Sequence, residues 1–303
     1  MKFLTYTHAG ENHLGAATEA GTIVNLGALL RQALGAQAPI PSDVAGLIEA
    51  GPALLEPARR CLEDVASHAA HRAPADARVI APIPRPHKNV FCVGRNYRLH
   101  IIEGNLAAKR DPNDFPKAAE FFSKPWTTVI GTGEAIRRHA KHTRLLDYEI
   151  ELGIVIGKGG TDIPRETALD HVFGYTIIND VTARDLQKRH GQWFKGKGLD
   201  TTCPMGPWVV HRSAVPDAQA LNMELDVNGE VRQRANTQDM LFDVPAIIEQ
   251  LSAGLTLHPG DVIATGTPSG VGFAMTPMRC LEPGDVVRAR IDGLGELVNH
   301  VVD

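Results

Sequence analysis

The stretch DYEIELGIVIG, residues 147–157, has the alternating pattern of a β-strand with an unusual polar face. Successive side chains of a strand point to opposite faces of a sheet, so the apolar and acidic residues of this stretch separate. The apolar face comprises Tyr148, Ile150, Leu152, Ile154 and Ile156. The opposite face begins with three acids, Asp147, Glu149 and Glu151. Neighbouring carboxylates repel one another and are costly to bury unless a cation neutralises them, so this strand predicts a nearby positive charge.

Length and composition are those of an ordinary globular protein with a small-molecule partner. The chain has 303 residues, 43% of them hydrophobic and 22% charged, which is enough for one large domain and a small one. Its net charge of -4 argues against a general nucleic-acid-binding protein, because such proteins need a basic surface for the phosphate backbone. We therefore expect a small-molecule ligand and no nucleic-acid partner.

Segments that would direct the chain into or across a membrane are not predicted. No run of about 18 apolar residues occurs, and the first 13 residues lack the apolar core of a secretory signal. Cys61, Cys92, Cys203 and Cys280 lie far apart in the sequence, without a C-x-x-C pair. They are typical of reduced thiols, so we expect a cytoplasmic protein without membrane contact.

The distribution of proline divides the chain into a small N-terminal domain and a larger one. Residues 1–73 combine short strands, in KFLTYTH and TIVNL, with helical patterns in ALLRQAL and in the stretch from Ser42 to Ala70, where Ser42 is the predicted N-cap. Residues 74–88 contain four prolines, which favour an extended linker. Residues 89–303 then form the second domain.

The larger domain is predicted to be rich in β-strands. Most of its segments are apolar stretches bounded by Gly and Pro, with short helices only at HIIEGN, TARDLQKRH and DVPAIIEQLS. Two similar stretches, LHPGDVI (257–263) and LEPGDVV (281–287), each place a Pro-Gly turn before an apolar strand. This pattern predicts a mixed α/β, β-rich fold in the form of a roll or a distorted barrel, preceded by a small N-terminal α+β domain.

A second strand, HVFGYTIIND (171–180), ends in an acid that could join the acids of the first. If the two strands are neighbours, Glu149, Glu151 and Asp180 converge at one point. Three carboxylates without a thiol or imidazole form a ligand set for a hard cation such as Mg²⁺, Mn²⁺ or Ca²⁺. The alternative is that the two glutamates face solvent on an edge strand, as an E-x-E pair often does.

The segment VGRNYRLHIIEGN (93–105) places His100 and Glu103 three residues apart. In a helix this spacing puts both side chains on one face, where the carboxylate orients the imidazole and favours its protonated form. Such a pair is suited to a general base that takes a proton from water. An exposed helix with an incidental His/Glu pair is the alternative.

Further polar residues lie in a predicted helix and in two glycine-rich segments. Arg184 and Gln187 share one face of the helix predicted in TARDLQKRH. Lys197, among the glycines of FKGKGL, could bind a substrate carboxylate or stabilise an enolate, although a solvated loop charge is the alternative. In ATGTPSGVG (264–272), Thr267 and backbone N–H groups could bind a carboxylate, or the segment is an ordinary turn. Neither segment has the spacing of a P-loop or of a dinucleotide-binding motif.

Taken in order, these segments resemble the fumarylacetoacetate hydrolase family from about residue 84 to the end of the chain. The resemblance rests on six blocks: VGRNYRLHIIE, FFSKPWTTVIGTGEAI, DYEIELGIVIG, GYTIINDVTARDLQ, GKGLDTTCPMGP and LHPGDVIATGTPSGVG. Six blocks in the family's order are far more specific than any one of them. The resemblance implies the mixed β-roll fold of that family, usually as a homodimer.

The resemblance also implies roles for individual residues. A divalent metal, usually Mg²⁺ or Mn²⁺ and in crystals also Ca²⁺, would be held by Glu149, Glu151 and Asp180. His100 and Glu103 would activate water on a mobile lid. The positions that bind the oxo-acid end of the substrate or stabilise negative charge correspond to Arg184, Gln187, Lys197, Thr267 and, in a less defined role, Lys124.

The implied reaction is the metal-dependent hydrolysis of a C–C bond in a 2,4-dioxo acid, such as an acylpyruvate or fumarylpyruvate of aromatic-compound catabolism. His100 would deprotonate the water, and Lys197 and Gln187 would stabilise the developing negative charge. An isomerase or decarboxylase of 2-hydroxyhepta-2,4-dienedioate or oxaloacetate-like acids is the alternative, because these reactions also pass through an enolate. A non-catalytic binding protein stabilised by a metal is a further alternative. The segment 104–120 is where a lid would select the far end of the substrate.

Overall fold

The computed structural model describes residues 1–64 and 68–303, in which strands are the dominant element. The strands are β1 (Lys2–His8), β2 (Glu11–Ala17), β3 (Ile23–Val24), β4 (Arg78–Ile80), β5 (Val90–Gly94), β6 (Glu120–Lys124), β7 (Val129–Ile130), β8 (Ala135–Arg137), β9 (Leu146–Asp147), β10 (Ile150–Ile156), β11 (Val172–Asn179), β12 (Thr182–Ala183), β13 (Cys203–His211), β14 (Asn222–Val227), β15 (Glu230–Asn236), β16 (Val262–Ala264), β17 (Val286–Ile291) and β18 (Gly295–Val302). The α-helices whose ends are described are α1 (Leu26–Leu34), α2 (Val44–Ala50), α3 (Pro52–Glu63), α4 (Arg98–Ala107), α5 (Arg184–Arg189), α6 (Phe194–Lys197) and α7 (Val244–Ser252). Short 3₁₀ helices cover Ala69–His71, Trp126–Thr128, Arg165–His171, Arg212–Ala214, Thr237–Asp239 and Gly272–Ala274. No helix in the described ranges combines the length and the apolar character that a membrane crossing requires.

Three sheets contain the strands of the described residues. The largest has 11 strands and runs in the order β3-β2-β1-β13-β11-β10-β16-β5-β6, with β4 paired to β1 and β7 paired to β13. A second sheet has the order β15-β14-β17-β18-β8, and β9 pairs with β12 alone. The fold is therefore mixed α/β and strand-rich, as predicted, and no sheet closes into a barrel within the described part of the chain.

Strand β10 lies in the interior of the largest sheet and not at its edge. It pairs antiparallel with β11 on one side and with β16 on the other, and all seven of its residues are buried. Its apolar residues at even positions pack in one core cluster, and Val155 packs in a second cluster on the opposite face. The edge-strand alternative is therefore wrong.

The predicted strand is interrupted at Tyr148 and Glu149, between β9 and β10. The backbone donors here bond to side chains and not to a neighbouring strand. The Asp147 carboxylate accepts the N–H of Tyr148 at 3.0 Å, and Asn179 Oδ1 accepts the N–H of Glu149 at 2.9 Å. Because these bonds satisfy the backbone, the chain leaves the sheet ladder here without unpaired donors.

The N-terminal strands continue the largest sheet. Strand β1 pairs with β13, and also with β2 and β4. Helices α1 and α2 bury Leu29 and Val44 in a core cluster that also includes Val209 of β13 and Val262 of β16. The N-terminal part therefore packs against the sheet that carries β10, and the division into domains stays a prediction.

Helices in the N-terminal part begin and end differently from the prediction. Asp43, not Ser42, is the N-cap of α2, because its carboxylate accepts the N–H of Gly46 at 2.9 Å. Gly51, with a φ of +59°, ends α2 and separates it from α3. The predicted helical pattern continues through residues 65–67, which lie outside the described residues.

Candidate active site

Three carboxylates converge where β10 begins and β11 ends. Ile150 of β10 pairs with Asn179 of β11, so Glu149 and Glu151 lie beside Asp180, the residue after β11. Ligand oxygens of these three acids, here called the carboxylate cluster, all lie within 4.8 Å of one another. Their exposed fractions are 3%, 1% and 0%, so the cluster concentrates negative charge in the protein interior.

Two buried lysines neutralise the carboxylate cluster. Lys197 Nζ lies 2.7 Å from Glu149 Oε2 and 2.5 Å from Asp180 Oδ2. Lys124 Nζ lies 2.7 Å from Asp180 Oδ1 and donates to the carbonyl oxygen of Val181 at 3.0 Å. The side chains of Lys124 and Asp180 are fully buried, so each of these charges depends on its partner.

Lys197 reaches the cluster because α6 packs closely on α5. A Cβ atom at Gly196 would lie 2.5 Å from the backbone nitrogen of Gln187, so only glycine permits this contact. The ammonium group also lies over the ring of Phe122, 5.0 Å from its centroid. Lys197 is buried, so the alternative of a solvated loop charge is wrong.

Asp147 does not belong to the cluster, although it lies in line with Glu149 in the sequence pattern. Its carboxylate accepts hydrogen bonds from Arg184 Nε at 2.9 Å and from the N–H groups of Gly272 and Phe273 at 2.8 and 3.1 Å. The Arg184 guanidinium also lies 2.6 Å from Glu149 Oε1 and 4.4 Å from the centroid of the Phe273 ring. Arg184 therefore joins the cluster to Asp147, and its Nη1 also donates to Gln187 Oε1 at 3.4 Å. A contact between Arg184 and a substrate stays a prediction.

The surrounding charges shift the pKa values of the two glutamates in opposite directions. Burial alone raises the pKa of Glu149, but the positive charges of Arg184 and Lys197 outweigh burial and hold that pKa well below its usual range. Burial raises the pKa of Glu151, and the negative charges of Asp180 and Glu149 raise it further. Glu149 is therefore ionised at neutral pH, whereas Glu151 retains a proton well above the usual pKa of a glutamate.

The carboxylate cluster fits a hard divalent cation. Its three buried acids offer only oxygen donors, the set that Mg²⁺ and Mn²⁺ prefer. The Lys197 ammonium lies between Glu149 and Asp180 and supplies part of the positive charge that such an ion would bring. A divalent ion would also offset the repulsion that raises the pKa of Glu151.

His100 and Glu103 form a hydrogen-bonded pair on α4. His100 Nδ1 lies 2.8 Å from Glu103 Oε1, and the N–H of Gly270 donates to both oxygens of Glu103 at 3.0 and 3.2 Å. An ionised Glu103 accepts from Nδ1–H, which favours the tautomer with an unprotonated Nε2. This second nitrogen can then take a proton, as a general base requires.

The glycine-rich segment 264–272 binds carboxylates of the protein itself. The N–H of Gly266 donates to Glu151 Oε2 at 2.7 Å, just as Gly270 donates to Glu103. The sequence predicts a segment whose N–H groups bind a carboxylate, and these bonds are made within the chain. The segment therefore positions both a cluster residue and a residue of the α4 pair.

Most of the predicted site residues line one cavity of about 150 Å³. Seven of the ten line it, namely His100, Glu149, Glu151, Arg184, Gln187, Lys197 and Thr267. The other three lie behind the wall, where Glu103 supports His100 and Lys124 supports Asp180. A contact between Lys124 and a substrate stays a prediction.

Several residues around the cavity were not found by sequence reasoning. The wall also includes Arg95, Arg110, Phe122, Trp193 and Phe273. Gln233 accepts the N–H of Ile150 and donates to Thr267 Oγ1, so it joins β10 to the glycine-rich segment. An amide at the end of an apolar strand, such as Asn179 in TIIND, is a usable signal, whereas Gln233 in the polar stretch EVRQRAN carries none.

Known proteins are similar in sequence to most of this chain. The profile of the fumarylacetoacetate (FAA) hydrolase C-terminal family matches residues 89–302. The oxaloacetate tautomerase YisK of Bacillus subtilis is 52% identical over 227 residues, which cover 75% of this chain and 74% of that protein.

Solved structures share the fold over the whole chain. A fumarylacetoacetate hydrolase from Exiguobacterium antarcticum has a TM-score of 0.83 and 40% identity, and the match covers 100% of this chain and 99% of that one. Maleylpyruvate hydrolase from Sphingobium sp. SYK-6, in complex with manganese(II) and pyruvate, has a TM-score of 0.75, 32% identity and the same coverage. These matches confirm the predicted resemblance and the strand-rich fold. The chain therefore belongs to the fumarylacetoacetate hydrolase family.

Proposed function

We propose that the chain is a metal-dependent enzyme that interconverts the keto and enol forms of an oxaloacetate-like 2-oxo diacid. The observation that carries this proposal is the His100–Glu103 pair, whose imidazole lines the same cavity as Glu149 and Glu151 of the carboxylate cluster. A base removes the proton in enolisation, and a cation beside the 2-oxo group stabilises the enolate that forms. The 52% identity to a protein named oxaloacetate tautomerase supports this reaction over others in the family.

The proposed cofactor is a divalent cation. Glu149, Glu151 and Asp180 would hold it, and bound there it supplies Lewis-acid chemistry to the 2-oxo group. The buried oxygen donors support this proposal, as does the manganese ion in the structure of maleylpyruvate hydrolase. Mg²⁺ and Mn²⁺ both suit such donors, and a metal titration distinguishes them.

Side chains of the cavity would move the proton. His100 Nε2 takes a proton from C3 of the substrate, and Glu103 stabilises the imidazolium that forms. Lys197 and Gln187 line the cavity and stabilise the negative charge that develops on the 2-oxygen. A proton then returns to that oxygen from His100, which completes the enol.

Hydrolysis of a C–C bond in an acylpyruvate-like 2,4-dioxo acid is the second candidate. The same nitrogen of His100 could deprotonate a water, and maleylpyruvate hydrolase is 32% identical to this chain. Decarboxylation of an oxaloacetate-like acid needs no such base. Hydrolysis and decarboxylation both release pyruvate, whereas tautomerisation does not. A protein that binds metal for stability alone would turn over none of these acids.

The deciding assay measures enol loss and pyruvate release in parallel, with the metal removed and then restored. With oxaloacetate we expect metal-dependent conversion of the enol, seen as loss of its ultraviolet absorbance, without pyruvate above the background rate. Acylpyruvates would release pyruvate if the hydrolase assignment were correct. Metal-dependent pyruvate release without enol conversion would refute the tautomerase assignment.

His100→Gln is the variant that separates these mechanisms. Loss of the base should lower enol conversion by about 10²- to 10⁴-fold, the usual contribution of general acid–base catalysis. His142→Gln, at an exposed position, is the matched control. Pyruvate release from oxaloacetate that survives in His100→Gln would instead indicate a decarboxylase.

We also propose, from the family resemblance, that the chain forms a homodimer and acts in the cytoplasm. The free cysteines at 61, 92, 203 and 280 support a reducing compartment. Light scattering of the purified protein measures its mass in solution and tests the dimer.

A further inference from the structure

Four cationic side chains line the cavity, and three of them are committed to carboxylates of the protein. The committed pairs are Lys197 with Glu149 and Asp180, Arg184 with Glu149 and Asp147, and Arg95 with Glu120. Arg110 is the fourth cation, and its exposed side chain has neither an ion pair nor a hydrogen bond within residues 1–64 and 68–303. Arg110 is therefore the cavity-lining cation whose charge no carboxylate of the described residues offsets.

The loop after α4 holds Arg110 at the cavity. Lys109 has a φ of +56°, which reverses the chain at the end of the helix, and the N–H of Arg110 donates to the Asn105 carbonyl oxygen at 2.8 Å. The buried side chain of Asn105 donates to the carbonyl oxygen of Asp114 at 3.2 Å, and Arg95 donates to the same oxygen. Arg95 therefore stabilises the loop through the Asp114 carbonyl oxygen, whereas the guanidinium group of Arg110 has no such partner.

We propose that Arg110 binds the distal carboxylate of a dicarboxylate substrate. The proposal rests on the proposed function, in which the 2-oxo acid end of the substrate lies at the carboxylate cluster. Helix α4 and its loop form the wall that holds His100, Asn105 and Arg110, here called the α4 wall, and Glu149 and Glu151 of the carboxylate cluster line the same cavity. A carboxylate that leaves water needs a cationic partner, and a guanidinium group binds it through two parallel hydrogen bonds. A monoacid would gain nothing from Arg110, so this residue would select diacids.

The test compares a diacid with a monoacid of the same length. Oxaloacetate and 2-oxobutanoate both carry exchangeable protons at C3, and NMR in D₂O follows their exchange. Arg110→Gln should raise KM for oxaloacetate by about 10- to 100-fold, as expected for loss of a charged hydrogen bond, and should change kcat by less than about threefold. KM for 2-oxobutanoate should stay at the wild-type value.

Two further variants control for charge and for position. Lys117→Gln, at an exposed lysine further along the same segment that does not line the cavity, should leave both KM values unchanged. Arg110→Lys should recover part of the affinity for oxaloacetate, because one positive charge is retained. Equal losses for the two substrates, or an unchanged KM for oxaloacetate, would overturn the proposal.

Binding of stable analogues separates this inference from the proposed reaction. Calorimetry in the presence of Mg²⁺ compares malate with 2-hydroxybutanoate, which differ only in the distal carboxylate. A preference for malate that disappears in Arg110→Gln supports the role of Arg110, even if the wild-type protein has no tautomerase activity. A wild-type protein without a preference for malate overturns it, even if tautomerase activity is found.

Discussion

The two walls of the cavity differ in how their charges are used. The first, here called the sheet wall, consists of the carboxylate cluster at the ends of β10 and β11 and the cations that bond it, Lys197, Arg184 and, behind them, Lys124. Both lysines are buried, and the Arg184 side chain is 9% exposed. On the α4 wall, the side chains of His100 and Glu103 are 12% and 22% exposed. Ion pairs hold the sheet wall in one arrangement. On the α4 wall, Glu103 is bonded to His100 and Gly270, whereas His100 Nε2 and the Arg110 guanidinium group have no bond to the described residues.

This difference suggests separate tasks for the two walls. In the proposed reaction the sheet wall holds the cation and stabilises negative charge, and the α4 wall supplies the base and selects the substrate. The glycine-rich segment connects them, because Gly266 bonds Glu151 and Gly270 bonds Glu103. Variants of the sheet wall should therefore change stability and metal affinity together, whereas variants of the α4 wall should change turnover or substrate affinity and leave stability and metal affinity at the wild-type values.

The largest effect is expected from Asp180→Ala on the sheet wall. The change removes one proposed metal ligand and leaves Lys124 buried without its ion pair. We expect the free energy of unfolding to fall by about 3–5 kcal/mol and turnover to fall by more than about 100-fold. Urea unfolding and the enol assay measure the two effects, with Asp200→Ala at an exposed position as the control. Wild-type stability in Asp180→Ala would contradict the contrast between the walls.

Much of the sheet wall could be predicted from the sequence, because its signals are local. Alternation along β10 predicts which of its residues share a face, and the place of Asp180 after β11 puts it near Glu149. The role of Asp147 could not be predicted in the same way. Its partners Gly272 and Phe273 lie 125 and 126 residues further along the chain. The alternation of apolar and polar residues along a strand does not indicate contacts over such a distance in the sequence.

The α4 wall could be predicted only in part. A spacing of three residues places His100 and Glu103 on one helix face, and the structure shows them bonded. The sequence does not distinguish Arg110 from Arg95, because each is an arginine near the same helix. The difference depends on Glu120 and on the carbonyl oxygen of Asp114, which pair with Arg95 only after the loop has folded.

The pH dependence of metal binding is the next test of the sheet wall. Burial and the neighbouring acids raise the pKa of Glu151, so its carboxyl group is protonated where an ordinary glutamate is ionised. Metal binding needs the carboxylate and releases this proton, so Mg²⁺ affinity should rise with pH by up to about tenfold per unit until the raised pKa is passed. Glu149 adds nothing to the pH dependence of Mg²⁺ affinity in that range, because its lowered pKa keeps it ionised throughout. Calorimetry at several pH values measures the slope, and a flat affinity would contradict the assignment.

Gly270→Ala should have the smallest effect, and it tests the connection between the walls. Gly270 has a φ of +100°, and a Cβ atom there would lie 2.0 Å from the carbonyl oxygen of Arg232, so the backbone must shift. The shift weakens the bonds from its N–H to Glu103, and turnover should fall about three- to tenfold, with a loss of about 1–3 kcal/mol in the free energy of unfolding.

Gly284→Ala is the matched control for this variant, because Gly284 has a φ of +94° and no atom of the described residues lies within 4 Å of its Cβ position. It carries the same backbone strain without the clash, so it should lose stability but keep wild-type turnover per folded molecule. If Mg²⁺ affinity in Gly270→Ala stays at the wild-type value, the segment transmits the change to the α4 wall alone. If Mg²⁺ affinity falls with turnover, Gly266 and Glu151 move with Gly270, and the two walls respond as one unit.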